Sequence, residues 1–430
     1  MPDRLWMREK IRVLRYICSM FDTVMKRILY LLACLWSGAV WGGVPETLMV
    51  GAERFEMYMP ALRGKRLAVV TNQTGVVRAE VLQVGLVGEI MGRDSCSYRH
   101  IVDVWIDSGL GIQKIFSPEH GFRGNAEAGA SVRSGVDAST GLPVVSLYGS
   151  HKKPLPDDMQ GIDAVIFDLQ DVGVRFYTYI STLHYVMEAC AETGIPLWVL
   201  DRPNPHAFYT DGPLLDTACC RSFVGMHPVP VVYGMTIGEY ARMINGEAWL
   251  AKGVRCALQV IPLRGYNRNS LYVFPVPPSP NLQSMKAIQA YPSLCFFEGT
   301  PVSVGRGTET PFECFGFPGS TAGDYRFTPH SIAGVSQNPP FKDKECTGYR
   351  VADSLAVRPS GRLDLEYLLS MWHVWPSKDK FFNAFFVKLA GTQDLAEQIR
   401  QGATVARIRA SWQPELKRFE ETRRKYLLYP

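Results

Sequence analysis

The run Ser117-Pro118-Glu119-His120-Gly121-Phe122-Arg123-Gly124 sets a carboxyl group beside an imidazole, between a proline and glycines that bend the chain. A carboxyl packed among Phe116, Pro118 and Phe122 would favour its protonated form and could deliver a proton. Glu119 is therefore a candidate general acid, and His120 is either its orienting partner or a hydrogen-bonded structural histidine. A second cluster holds Asp168, Gln170, Asp171, Arg175 and Tyr177, and a third holds Glu298, Arg306 and Glu313. Carboxylates interleaved with aromatic and guanidinium groups suit sugar recognition, because hydroxyls take bidentate acceptors and pyranose faces stack on rings. A structural ion-pair network is the alternative reading of the same clusters. Glycoside hydrolysis ordinarily needs two carboxyl groups flanking the bond, and Asp168 and Asp171 are the further catalytic candidates beside Glu119.

Strands that end in polar groups must position these side chains. Leu67 to Val70 leads to Asn72, Ile112 to Phe116 to Glu119, Val144 to Leu147 to Tyr148, Ala164 to Phe167 to Asp168, and Leu197 to Leu200 to Asp201. In an open parallel sheet, ligands bind outside the carboxyl ends of the strands, so these groups are expected to converge on one cleft. Ser181 to Glu192 has helical spacing and stops at Gly194-Ile195-Pro196, and strand, helix, strand in that order implies parallel pairing. A further helix is expected from Thr236 to Trp249, with Glu239 completing a capping box. Pro275 to Pro292 is proline-rich and reads as a wall or linker, with a domain boundary near residue 270. Beyond it we expect short strands, such as Phe382 to Leu389, and helices at Leu363 to Met371, Leu395 to Gln401 and Thr404 to Tyr426.

Composition narrows the class. The chain has 430 residues, 47% of them hydrophobic and 20% charged, which is enough for more than one packed core. The net charge of +5 comes from interspersed charges, so no nucleic-acid surface is indicated. Lys26 and Arg27 precede an apolar run, Ile28 to Trp41, that suits a signal peptide, with Met20 or Met25 as the start. This implies a secreted or periplasmic protein. Leu31-Leu32-Ala33-Cys34 resembles a lipoprotein box, and membrane attachment through a retained anchor is the other reading. The ten cysteines show no metal-type spacing, and no dinucleotide fingerprint or P-loop is present, so no metal and no cofactor are expected. Ser150-His151-Lys152-Lys153 and Ser377-Lys378-Asp379-Lys380 fit a Ser-x-x-Lys pattern, which a chain this long matches by chance.

Five stretches together resemble the exo-β-N-acetylmuramidase family, long known only as a domain of unknown function. They are Ser117 to Gly124, Phe167 to Tyr179, Asp201-Arg202-Pro203-Asn204-Pro205, Pro278-Ser279-Pro280-Asn281, and Gly305-Arg306-Gly307-Thr308 with Pro311-Phe312-Glu313. The likeness runs in order from about residue 50 to Tyr429. It implies an α/β protein with a Rossmann-like, mostly parallel catalytic domain at 45–270 and a smaller α+β domain at 271–430 that completes the cleft. Residues 1–42 are then an extension and signal peptide. It also implies release of N-acetylmuramic acid from the non-reducing end of peptidoglycan glycans, with Glu119 matching the family's favoured catalytic residue. Asn72, Gln170, Arg175, Tyr177, Asp201, Arg202, Asn204, Glu298, Arg306 and Glu313 are the candidates for binding substrate. Arg175, Arg202 and Arg306 are the guanidinium groups expected to meet the lactyl carboxylate of muramic acid. His206-Ala207-Phe208-Tyr209 and the Tyr272 to Val276 region depart from the family pattern, which bears on fine specificity. A secreted glycan-binding protein without turnover is the rival reading.

Overall fold

The first strands are β1 (Arg66–Thr71), β2 (Val76–Arg78), β3 (Tyr98–His100), β4 (Gly111–Ser117), β5 (Gly135–Val136) and β6 (Pro143–Ser146), of which β1 and β4 are apolar runs and β3 and β5 are short, mostly exposed edges. They are followed by β7 (Ala164–Asp168), β8 (Leu197–Leu200) and β9 (Leu258–Ile261), and later by β10 (Cys314–Phe317), β11 (Tyr325–Phe327) and β12 (Cys346–Arg350). The computed structural model describes residues 47–80, 98–124, 134–356 and 360–430. Seven strands make one sheet in the order β5-β6-β4-β1-β7-β8-β9, and every pairing in it is parallel except β5 with β6. Counting only the parallel strands in chain order, this is the doubly wound order 3-2-1-4-5-6, whose strand order reverses at β1.

Both faces of this sheet are covered, which is why its strands read as nearly continuous apolar runs. On β1, Leu67 and Val69 join Tyr58, Trp105 and Ile112 in one core, while Ala68 and Val70 turn to the other. Strand β7 divides in the same way, with Ala164 and Ile166 on the first side and Val165 and Phe167 on the second. The second core holds the helices Tyr179–Thr193 and Ile237–Gly246. It continues without a break into the C-terminal part, where Phe176 meets Tyr291 and Phe296 edge-on. There a three-stranded antiparallel sheet, β10-β12-β11, packs with helices. Leu48 to Pro430 forms one compact unit.

Local signals explain most boundaries. Thr236 caps Ile237–Gly246 by accepting from the Glu239 N–H, and Glu239 returns a bond to the Thr236 N–H, the reciprocal box its spacing announced. Two expectations are corrected. Phe382 to Leu389 is not a strand: Ala384–Ala390 is a helix, capped by Asn383 and stopped by the left-handed Gly391. The apolar run there is too short for its period to separate strand from helix, and the caps decide. Pro275 to Pro292 is not wholly irregular either, because Ser284 caps a helix, Met285–Leu294, that carries Pro292 inside it. The signal-like segment and most of Ala79 to Val104 lie outside the described residues. Of the seven cysteines that are described as free thiols, all but Cys219 are buried, as small apolar residues would be.

Candidate active site

Strand β4 ends at Ser117, and the next residues carry Glu119 onto the wall of a cavity of about 720 Å³. The turn is made by His120 and Gly121, both left-handed, with φ of 74° and 79°. A non-glycine residue held there costs roughly 1–3 kcal/mol, and such strain collects at functional sites. Phe312 is also left-handed, at φ 61°, and both His120 and Phe312 line the cavity. Glu119 is half-buried, and its Oε2 accepts a hydrogen bond from Thr178 Oγ1 at 2.7 Å. Tyr148, two residues beyond β6, neighbours the same carboxylate. Burial, and then the Glu119 carboxylate, push the Tyr148 hydroxyl well above its ordinary pKa.

The remaining walls come from distant segments. The Tyr177 hydroxyl donates to the Pro278 carbonyl at 2.7 Å, which ties the proline-rich stretch to the loop after β7 and brings Ser279, Asn281 and Leu282 to the cavity. From the C-terminal part come Glu298 and Arg306, paired at 2.6 Å, with the guanidinium 5.1 Å over the Phe312 ring. Tyr291 and Phe385 add further aromatic surface, and Lys152 and Phe223 line the cavity as well. Glu119 and Glu298 are the two carboxylates among the described lining residues.

Five of the expected site residues thus meet at the cavity: Glu119, His120, Tyr177, Glu298 and Arg306. The others are held elsewhere. Asp168 is fully buried in a two-pronged pair with Arg202, at 2.6 and 2.8 Å, so neither group faces the cavity. Asp171 accepts from the Tyr233 hydroxyl and the Gly173 N–H, and burial pushes its carboxyl up to about 6. Arg175 is buried and donates to four main-chain carbonyls, those of Pro213, Val229, Leu389 and Ala390. Burial lowers its guanidinium to about 9. Asp201 takes donors from the Thr236 and Tyr429 hydroxyls and the Gly238 N–H.

A supporting layer lies beneath. Gln170 donates to the carbonyls of Asp171 and Pro203, and Asn204 donates to that of Met235. Asn204 lies directly against Gly173, where a Cβ would come within 2.0 Å of its Oδ1, so the two motif loops fit only because that residue is glycine. Asn72 donates to the Tyr179 hydroxyl, which in turn donates to Pro278. Glu313 binds Ser284 and Lys286 at the start of the helix Met285–Leu294. Some motif residues, Glu119, His120, Tyr177 and Arg306 among them, line the cavity, and others bond the loops that carry them to one another.

Tyr148 lines the cavity as its place after a strand predicts, while Thr178, Lys152 and Phe223 line it without having been site candidates. Tyr148 carries a signal, since it follows a strand as Glu119 does. Lys152 carries none beyond a chance-level pattern.

A doubly wound sheet whose strand ends open into an aromatic-walled cavity with a hydrogen-bonded carboxyl defines the class as α/β proteins that handle a polar, ring-shaped ligand at the switch point. The family model described as exo-β-N-acetylmuramidase NamZ, N-terminal, matches residues 67–286, and its C-terminal counterpart matches 289–429. The chain belongs to this exo-β-N-acetylmuramidase family. It is 35% identical over 394 residues to the peptidoglycan β-N-acetylmuramidase NamZ of Bacillus subtilis (strain 168), covering 86% of this chain and 89% of that one. Two crystal structures of DUF1343 family proteins from Bacteroides fragilis NCTC 9343 share the fold, one with TM-score 0.77 at 40% identity and one with 0.73 at 26%. Each covers 89% of this chain and 99% of its own.

Proposed function

We propose that this protein is an exo-acting glycoside hydrolase that releases N-acetylmuramic acid from the non-reducing end of peptidoglycan glycans. The observation that carries the reading is Glu119 on the wall of an aromatic-lined cavity, fixed by Thr178 at 2.7 Å and flanked by Tyr148. Glu119 delivers its proton to the glycosidic oxygen as the bond breaks, and the positive charge then develops on the sugar ring. Thr178 and Tyr148 hold the carboxyl in one orientation, which spares the reaction the entropy of finding it. Glu298 is the second carboxyl group of the cavity, with Arg306 holding it in place. Tyr148, Phe223 and Phe385, the lining rings that keep part of their surface exposed, supply ring faces for the sugar. The signal-like Lys26 to Trp41 segment accords with a secreted or periplasmic enzyme, where such glycans are found.

The family match supports exo action, and the proline-rich segment and the loop at Arg306, which both border the cavity, are the walls that would limit it to a chain terminus. Digestion of defined, peptide-free glycan chains, followed by mass, tests this. Single N-acetylmuramic acid units should accumulate from the first minutes while the remaining chain shortens stepwise. Early mid-length fragments would refute the exo assignment, and no released sugar at all would favour a binding protein.

A further inference from the structure

The cavity contains a cation that the motif residues do not account for. In the run His151-Lys152-Lys153, the first and third residues have carboxylate partners: His151 meets Asp158 at 3.1 Å, and Lys153 meets Glu188 and Glu192 at 2.7 Å. Lys152 faces the other way and lines the cavity. Its ammonium rests 4.9 Å over the Phe223 ring, and no carboxylate partner is found for it among the described residues. The second cation on the wall, Arg306, is already committed to Glu298. Arg175 and Arg202, the other guanidinium candidates, are buried and bonded to main-chain carbonyls and to Asp168, away from the cavity.

Lys152 also shares the cavity wall with the acid. The Phe223 ring lies 6.0 Å from Tyr148, whose hydroxyl neighbours Glu119. Ser181 bonds the Phe223 carbonyl at 2.7 Å and Tyr185 stacks on the ring, so the helix Tyr179–Thr193 fixes this platform. Acid, tyrosine, phenylalanine and lysine thus form one continuous patch. In a glycan of alternating muramic acid and glucosamine, only one of the two sugars flanking a given bond carries a carboxylate. A cation on the wall of the same cavity as the acid therefore has one charged group of opposite sign to meet on the substrate, the carboxylate on the lactyl ether of the muramic acid unit.

We propose that Lys152 is the residue by which the cavity recognises the lactyl carboxylate of N-acetylmuramic acid and so separates it from N-acetylglucosamine. The assignment rests on the muramidase reading and adds a specificity determinant to it. A lysine suits this role because its ammonium is a compact charge on a flexible stem, able to follow a rotatable lactyl arm, whereas a fork of guanidinium donors would demand one orientation. Phe223 holds the ammonium within the cavity without neutralising it.

The test compares a chromogenic β-N-acetylmuraminide with the same compound esterified to methyl at the lactyl carboxylate. The unaltered enzyme should prefer the free acid by about ten- to a hundredfold in kcat/KM, the worth of a charge-assisted hydrogen bond. In Lys152→Gln that preference should fall to near one, chiefly through KM, and Lys152→Arg should restore part of it. Raising the salt concentration should weaken the preference of the unaltered enzyme and leave the glutamine variant's ratio where it is. An unaltered enzyme that cleaves ester and acid equally overturns the proposal without any variant. So does a Lys152→Gln enzyme that still prefers the acid tenfold. If the unaltered enzyme turns over neither compound, the muramidase reading itself fails, a result distinct from loss of discrimination.

Discussion

Glu119 and Asp168 are both carboxylates just beyond or at the end of a parallel strand, yet their surroundings assign them different work. Glu119 is half-exposed to a cavity, where a ligand can reach it, and it accepts a hydrogen bond from the neutral Thr178 hydroxyl. Asp168 is locked to Arg202 without exposure to solvent, and separating such a buried pair costs roughly 3–5 kcal/mol, so its role is to hold two strand ends together. Glu119→Gln keeps the shape of the side chain but has no proton to give. It should lower kcat by about 100- to 10,000-fold, with the melting temperature unchanged. Kinetics on a chromogenic muraminide together with thermal unfolding would check this, and a variant that kept a tenth of the activity would displace Glu119 as the acid.

At the scale of elements, Arg175 joins the loop after β7 to the end of the helix Ala384–Ala390, through the Leu389 and Ala390 carbonyls at 3.0 and 2.7 Å. Gly391 makes this possible, because a Cβ there would come within 2.5 Å of the Arg175 guanidinium. Arg175 thus serves as a tie between the sheet-bearing part and the C-terminal helices, in place of the substrate contact its motif suggests. Lysine has fewer donors and a different reach, so Arg175→Lys would strand buried carbonyls at about 1–3 kcal/mol each. We expect it to lower unfolding free energy by roughly 3 kcal/mol, while KM for muraminides stays as it is. Urea titration and steady-state kinetics on the same preparation separate the two outcomes, and a raised KM at unchanged stability would return Arg175 to the substrate site.

Across the whole molecule, the C-terminal end folds back onto the strand ends of the sheet. The Tyr429 hydroxyl donates to Asp201 at 2.5 Å and the Leu428 N–H to Glu239 at 2.7 Å. Burial is the largest influence on Asp201 and pushes its carboxyl up to about 7, against the donors that surround it. The sign follows from proton counting. Between the unfolded value near 4 and about 7 the folded state holds the proton and the unfolded state has lost it, so this contribution to stability is full below pH 4 and is lost as pH rises through about 7. Asp201→Asn resembles the protonated form and cannot titrate. The stability of the unaltered protein relative to this variant should therefore decline from pH 5 to pH 8 in urea unfolding, and a constant difference would show that Asp201 does not titrate in this range.

Much of the architecture was legible in the chain itself. Apolar runs of β-branched residues, the Thr236 and Glu239 box and the glycine after Thr193 depend on neighbours a few positions away, so periodicity and capping chemistry reveal them. The Glu119 turn belongs to the same kind, since the strand that aims it and the glycine that follows it are adjacent in sequence. What only the tertiary structure decided is which polar groups remain available to a ligand. Asp168 is taken by a residue 34 positions away and Arg175 by one 215 positions away, whereas Lys152 has no carboxylate partner among the described residues. Burial and pairing are properties of distant contacts, and local patterns do not record which side chains the fold has already spent on one another.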